Sequence, residues 1–303
     1  MSQYRSIGLF LALAVAWGSA FVAIDAGLEH LPPVLFAAVR YDVAGLIMLA
    51  YAAYVVDDPF PRSRGAWLTV AVGAVLLIAA YHAFLFVGQQ HTTAAAAAVL
   101  VSLSPVLTTG FARLLVPEDA LSPIGVIGVA VGLLGVAVMA QPDPSELFAT
   151  DTVANLLVFC AAAAFALGSV LTRRIDAELR IETMEAWSMI GGAALLHLVS
   201  LGLGEPIEPS AWLHPEALGA IVYLSVVASA IGFLVYFDLL ERLGAVEINM
   251  VSYVAPVVAA VVGWLYLGQS VDGPTAIGFG CIFVGFVLVK RRAIRRALRS
   301  AQR

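Results

Sequence analysis

Charge is what this chain has little of. Only 12% of its 303 residues are Asp, Glu, Lys or Arg, while 61% are hydrophobic and the mean hydropathy is +0.95. Soluble domains carry roughly a quarter charged residues, so a soluble globular protein is excluded and an integral membrane protein is expected. Cysteine is scarce too. Cys160 and Cys281 each lie inside an apolar run, and two such residues make neither a disulfide framework nor a metal site. Catalytic signatures are absent: there is no G-x-S-x-G, no H-E-x-x-H, no clustered Cys/His set and no ATP-binding loop. An intramembrane enzyme and a primary pump are therefore disfavoured, and no cofactor or metal is expected.

The apolar residues come in blocks of about twenty, the length a helix needs to cross a core ~30 Å thick. Barrel strands would instead alternate over ~10 residues, so the fold class is an all-α integral membrane protein. Ten spans are expected, at Ile7–Leu28, Pro33–Val56, Ala66–Gly88, Thr93–Val116, Ile124–Ala140, Thr152–Leu171, Met184–Leu203, Ala217–Asp238, Val246–Leu267 and Val271–Val289. The fifth and tenth are the shortest. The first run is too long for a signal peptide and lacks a small-x-small cleavage site, so it is read as a retained helix. Ten is even, which returns both termini to one side. If that side is cytoplasmic, fifteen of the sixteen basic residues fall on it, and the other connections hold only acids such as Glu29, Asp143, Glu146, Glu205, Glu208 and Glu216. This is the asymmetry of a multi-pass protein in a prokaryotic cell membrane with both ends inside. The basic tail, residues 291–303, is expected to lie on anionic headgroups rather than on nucleic acid.

The chain repeats itself. Thr92–Pro123, "TTAAAAAVLVSLSPVLTTGFARLLVPEDALSP", aligns with Leu243–Pro274, "LGAVEINMVSYVAPVVAAVVGWLYLGQSVDGP", matching Pro105 to Pro256 and Pro123 to Pro274. Gly128 and Gly135 keep the seven-residue spacing of Gly278 and Gly285, and "WGSAFVAI" (Trp17–Ile24) is echoed by "LGSVLTRR" (Leu167–Arg174). Two five-helix units follow, residues 1–145 and 150–290. An odd helix number forces the second to enter the membrane inverted, an architecture that places substrate near mid-membrane between the halves.

Those strings, with "LPPVLFAAVRY", "EAWSMIGGA" and "LERLGAVEINMVSYVAPVVAAVVGWLYLGQ", resemble the drug/metabolite transporter superfamily in its EamA-type two-repeat form. The resemblance covers essentially the whole chain. It implies ten helices, a central cavity and secondary transport of a small metabolite, frequently export, with no fixed substrate. Departures occur at Ala20, where an amide is common, at Asp25, where a lysine is common, and at Pro117-Glu118 and Gly268-Gln269, where the family carries Gly-Glu.

Candidate substrate-cavity residues follow. Arg40 lies ~10 Å along the second helix from Pro33, too deep to ignore in hydrocarbon, so it must face the bundle interior, a wet cavity or a partner. Asp25 is the candidate partner. The alternatives for Arg40 are a helix-tying ion pair, an anchor for a carboxylate-bearing substrate, or snorkelling to the interface. Asp42 lies ~200° round the helix from it. His82 and His197 could relay protons, making the proton a candidate coupling ion, or could be hydrogen-bonded interior histidines; His91 is expected to be solvated. Asn249, Ser252, Tyr253 and Pro256 form one helical stripe after Glu247. Ser102 and Ser104 precede Pro105, whose missing N–H frees a carbonyl for a cavity. Trp17, beside Ser19, and Trp187 could stack on substrate or simply pack. Asp238, Glu241 and Arg242 read as a solvated cluster. The expected partners are a small-molecule substrate and the lipid bilayer, with the protein a monomer or homodimer. A membrane-embedded enzyme or scaffold without transport is the alternative reading.

Overall fold

The computed structural model of the protein describes residues 2–115, 123–140, 150–175, 177–243, 248 and 250–301. Glu247, Asn249, Pro117, Glu118, Asp143 and Glu146, all singled out above, lie outside them.

Local chemistry sets the helix ends that hydropathy leaves approximate. α1 is Ser2–Leu28. Pro33 opens α2 (Pro33–Val55), where a missing N–H does no harm. The Ser63 hydroxyl accepts from the Ala66 N–H at 3.0 Å to start α3 (Arg64–Gln89), and Thr93 accepts from the Ala96 N–H at 3.2 Å to start α4 (Ala94–Leu115). Both are ordinary N-caps. α5 (Pro123–Ala140), α6 (Thr150–Ile175) and α7 (Ile181–Leu203) follow. Gly204, at φ 68°, ends α7. After a short turn of helix at Pro209–Trp212 come α8 (Pro215–Tyr236), α9 (Val251–Leu267) and α10 (Gly273–Ala301). Gly268, at φ 64°, closes α9. That left-handed conformation is cheap only for glycine.

Among the described residues every regular element is helical. Eight helices are long and apolar enough to cross a bilayer, and α5 and α9 contribute two shorter apolar segments. The apolar span of the tenth helix, Gly273–Arg291, is short as expected, at 19 residues the least of the eight, but the helix itself runs on to 29 residues. The basic tail, rich in Ala, Leu and Arg, continues it because these residues are strong helix formers.

Packing runs between the two halves of the sequence. α2 lies against α7, α5 against α10, α1 against α9 and the start of α8, and α6 against α3 and α4. The α5–α10 contact is a backbone crossing. A Cβ added at Gly128 would come within 2.7 Å of the Gly285 carbonyl oxygen, and one at Gly135 within 2.7 Å of that of Gly278; the reverse distances are 2.6 and 2.8 Å. The pairing is antiparallel, and only glycine permits it at this separation. α3 and α8 share another feature: each is π-helical in its middle, over Gly73–Ala80 and Tyr223–Ile231. Large apolar side chains such as Leu46, Leu198, Leu201 and Leu265 point outward, whereas Arg40, His82, Glu185, Ser225 and Ser229 are buried. A bundle with an apolar exterior and polar groups at its centre suits hydrocarbon as solvent.

Candidate functional site

Five buried residues, Arg40, Tyr41, His82, Ser225 and Ser229, form one connected network. Arg40 is 7% exposed. Its Nη2 and Nε donate to the Ser229 hydroxyl at 3.1 and 3.3 Å, and its guanidinium lies 5.1 Å from the Tyr41 ring centre. The Ser225 hydroxyl donates to the Arg40 carbonyl at 3.1 Å. Both serines lie on the π-helical stretch of α8, which α2 packs against. Next to Arg40 in sequence, Tyr41 extends the network: His82 Nδ1 is 2.8 Å from the Ile78 carbonyl and Nε2 is 2.8 Å from the Tyr41 hydroxyl. A carbonyl only accepts, so Nδ1 carries the proton and Nε2 receives the tyrosine's. Ile78 belongs to the π-helical stretch of α3, so both irregular segments border the network; such segments are frequent at functional sites.

Arg40 therefore does not pair with Asp25, as expected above. α2 rests on α7 and α8 rather than along α1, and Asp25 is held elsewhere. It accepts a hydrogen bond from the Gln269 side-chain amide. The Gln269 carbonyl oxygen in turn accepts from the Ala94 N–H at 3.1 Å. The left-handed Gly268 turns the chain so that Gln269 can do both. Nearby, Gln89 donates to the Phe21 carbonyl at 2.5 Å. These contacts tie α1, α3, α4 and the α9–α10 turn together beneath a cavity of about 540 Å³ lined by Asp25, Glu29, Gln90, His91, Thr92 and Gln269, among others. The cavity opens on the end of the bundle that carries the acidic connections. His82 and Arg40 lie seven residues from the helix ends on that side, ~10 Å deep.

The remaining candidates are dispersed. Ser102 and Ser104 are buried, but their hydroxyls donate to the Val99 and Val101 carbonyls at 2.6 and 2.7 Å. Val101 is the residue whose carbonyl Pro105 leaves without a backbone donor, so Ser104 satisfies it locally instead of leaving it to a cavity. Trp187 belongs to an aromatic cluster with Phe60 and Trp67 at the opposite, basic end, and its indole N–H donates to the Pro59 carbonyl at 2.8 Å. Trp17 stacks on Tyr236 and donates to the Ala228 carbonyl at 3.0 Å. Ser19 lies beside Tyr223. Tyr253 turns its ring onto Phe283 and Phe286 of α10, and its buried hydroxyl finds no partner among the described residues. Ser252 is half-buried. His197 is not interior; it meets Asp42 at 2.8 Å on a partly exposed flank of α2 and α7. Asp238 and Arg242 form an exposed i,i+4 pair at the basic end, and Arg242 holds the Asp238 carboxyl below its ordinary pKa through their hydrogen bond.

Glu185, Ser225, Ser229, Tyr41 and Gln269 are parts of the site that sequence reasoning did not select. Glu185 is 8% exposed on α7, makes no hydrogen bond or ion pair among the described residues, and acts electrostatically on both Tyr41 and Tyr236. A lone acid four residues inside α7 carries the same signal as Arg40. It escaped because the expected span began at Met184, which made it a boundary residue.

Comparison with known proteins follows this geometry. The model of the EamA-like transporter family matches residues 5–141 and 152–291. An uncharacterized inner membrane transporter of Escherichia coli, YedA, is 26% identical over 93% of this chain and 89% of its own length. An uncharacterized transporter of Archaeoglobus fulgidus is 26% identical over 89% and 92%. The chloroplastic WAT1-related protein At3g02690 of Arabidopsis thaliana is 25% identical over 90% of this chain, which spans only 66% of that longer protein. One solved crystal structure shares the fold with a TM-score of 0.66 at 24% identity, over 96% of this chain and 98% of its own. With nearly the whole chain matched and a multi-pass apolar helix bundle to match it, the protein belongs to the EamA-like transporter family and is a membrane transporter.

Proposed function

We propose that the protein is a secondary transporter of a small carboxylate-bearing metabolite, such as an amino acid or related polar compound, exported by alternating access. Two inverted five-helix repeats, ten spans in all with both termini cytoplasmic, would move around a central site at Arg40. Three features support the two-repeat reading: the antiparallel glycine crossing of α5 and α10, the paired π-helical stretches of α3 and α8, and the two separate segments that match the family model.

The observation that carries the substrate class is the state of Arg40. It is buried ~10 Å inside the bundle with hydroxyl and aromatic neighbours and no carboxylate partner among the described residues. A guanidinium removed from water without a counter-charge is costly. A substrate carboxylate delivered to it would relieve that cost through charge-assisted, bidentate hydrogen bonds. Tyr41, whose hydroxyl is held by His82, covers one flank of the guanidinium. His82 and Glu185 are the residues through which protons would couple to movement.

Purified protein in sealed liposomes, preloaded with a mixture of labelled amino and organic acids, tests this. Efflux of a carboxylate-bearing solute is expected, strongly reduced in Arg40→Ala and partly retained in Arg40→Lys. Full flux in both variants would remove Arg40 from the mechanism. Chemical conversion of a solute without its movement would favour an enzyme.

A further inference from the structure

We infer that the acidic end of the bundle carries a binding site for a divalent transition-metal ion, built from His30, His214 and Glu216. It is separate from the network at Arg40 and stands whatever solute the protein carries. In sequence His214 and Glu216 stand two apart, but Glu216 lies 186 positions after His30, so no spacing joins the three. The fold brings one ligand atom from each within 4.8 Å of the others. His30 Nε2 is 2.9 Å from Glu216 Oε2. The two imidazole rings face each other with centres 3.8 Å apart and planes 28° from parallel.

Two imidazoles and one carboxylate form a donor set for zinc, cobalt or nickel, not for magnesium or calcium, which take oxygen ligands. In a tetrahedral site with ~2.0–2.1 Å bonds, ligand atoms stand ~3.4 Å apart. The 2.9 Å between His30 Nε2 and Glu216 Oε2 is close to that value and the third ligand atom lies within 4.8 Å, so closing onto an ion takes side-chain rotations that unstack the two imidazole rings.

The backbones beneath the ligands are held in place. His30 lies in the α1–α2 turn, where the His30 and Leu31 N–H groups both donate to the Gly27 carbonyl. That turn is fixed from beyond by Glu205, whose two oxygens accept from the Val34 and Leu35 N–H groups at 2.9 and 2.7 Å. His214 is the residue before Pro215 at the start of α8, and its carbonyl accepts from the Leu218 N–H at 3.0 Å. His214 and Glu216 are exposed and His30 is half-buried, so an ion and a completing water have access from solvent. A bound ion would tie the α1–α2 turn to the start of α8 at the rim of the bundle.

The test uses the full chain purified without a polyhistidine tag, stripped with a chelator, and titrated with ZnCl₂ by calorimetry and with CoCl₂ by visible absorption. One equivalent of Zn²⁺ is expected to bind saturably, with a tetrahedral cobalt spectrum. His214→Ala and Glu216→Gln should each weaken binding at least tenfold, and His91→Ala, another exposed histidine on the same end, should not. Zn²⁺ should also raise the unfolding temperature of the wild type and His91→Ala but not of His214→Ala, with all variants eluting alike on size exclusion. Absence of saturable binding, or binding that survives both His214→Ala and Glu216→Gln, would overturn the site.

Discussion

α3 and α8 share a backbone and differ in chemistry. Each is the helix whose middle winds as a π-helix, over Gly73–Ala80 and Tyr223–Ile231, and each presents that stretch to the helix before it in the opposite half, α7 and α2 respectively. What they offer there is unlike. α3 contributes the Ile78 carbonyl that orients His82, while α8 contributes only the hydroxyls of Ser225 and Ser229. The same asymmetry holds between α2, with Arg40 and Tyr41, and α7, with Glu185. The backbone is thus alike in these two helices and the polar centre is not, its charged and hydroxyl groups falling unevenly between them.

That contrast predicts unmatched effects at the centre and matched effects in the frame. The largest is at Arg40. Its replacement by alanine should lower apparent transport affinity by roughly a hundredfold, the ~3 kcal/mol of a charge-assisted hydrogen bond to carboxylate, measured as flux in liposomes at equal protein density. Gly135→Ala and Gly278→Ala come next. Each would press a Cβ against the other helix's carbonyl, 2.7 and 2.8 Å away, and each should cost about 1–3 kcal/mol in thermal unfolding; clearly unequal losses would break the equivalence of the halves. At the centre, Tyr41→Phe leaves His82 Nε2 buried without its donor and should cost about 1–3 kcal/mol, more than Ser229→Ala at about 1 kcal/mol, since Ser229 is only one of several supports for Arg40. Equal losses there would erase the asymmetry.

The smallest effect belongs to the basic end. The Arg62 guanidinium hydrogen-bonded to Asp58 holds its carboxyl below the usual range. A depressed folded value gives a contribution present at neutral pH and lost as pH falls through it. The pair is fully exposed and screened by solvent, so Asp58→Asn should leave the unfolding temperature at neutral pH unchanged within error.

Most of the frame was legible in sequence because it is written in local chemistry. Pro33, Pro123, Gly204 and Gly268 mark ends by what their backbones allow, and hydrophobic length gives the spans. Arg40 and His82 stood out because ionisable residues are rare in apolar runs. Their partners did not. Asp25 was the better guess for Arg40 on charge alone, yet helix placement gave it Ser229, a residue type too common in membrane helices to attract notice. Gln269 was visible only as a departure from family pattern, and its double role depends on the turn at Gly268. The serines before Pro105 could be read two ways, and the distance from Ser104 to the Val101 carbonyl favours the local one.

The π-helical stretch of α8 has a consequence for movement. Such a stretch carries more residues per turn than its α-helical flanks, so its length sets the rotational phase between the two ends of the helix. Residues switching between the π and α windings would change that phase, turning everything beyond about the helix axis without unwinding the rod. Ser229 lies within that stretch, so the direction of the hydroxyl that meets the guanidinium is set by how the helix is wound there.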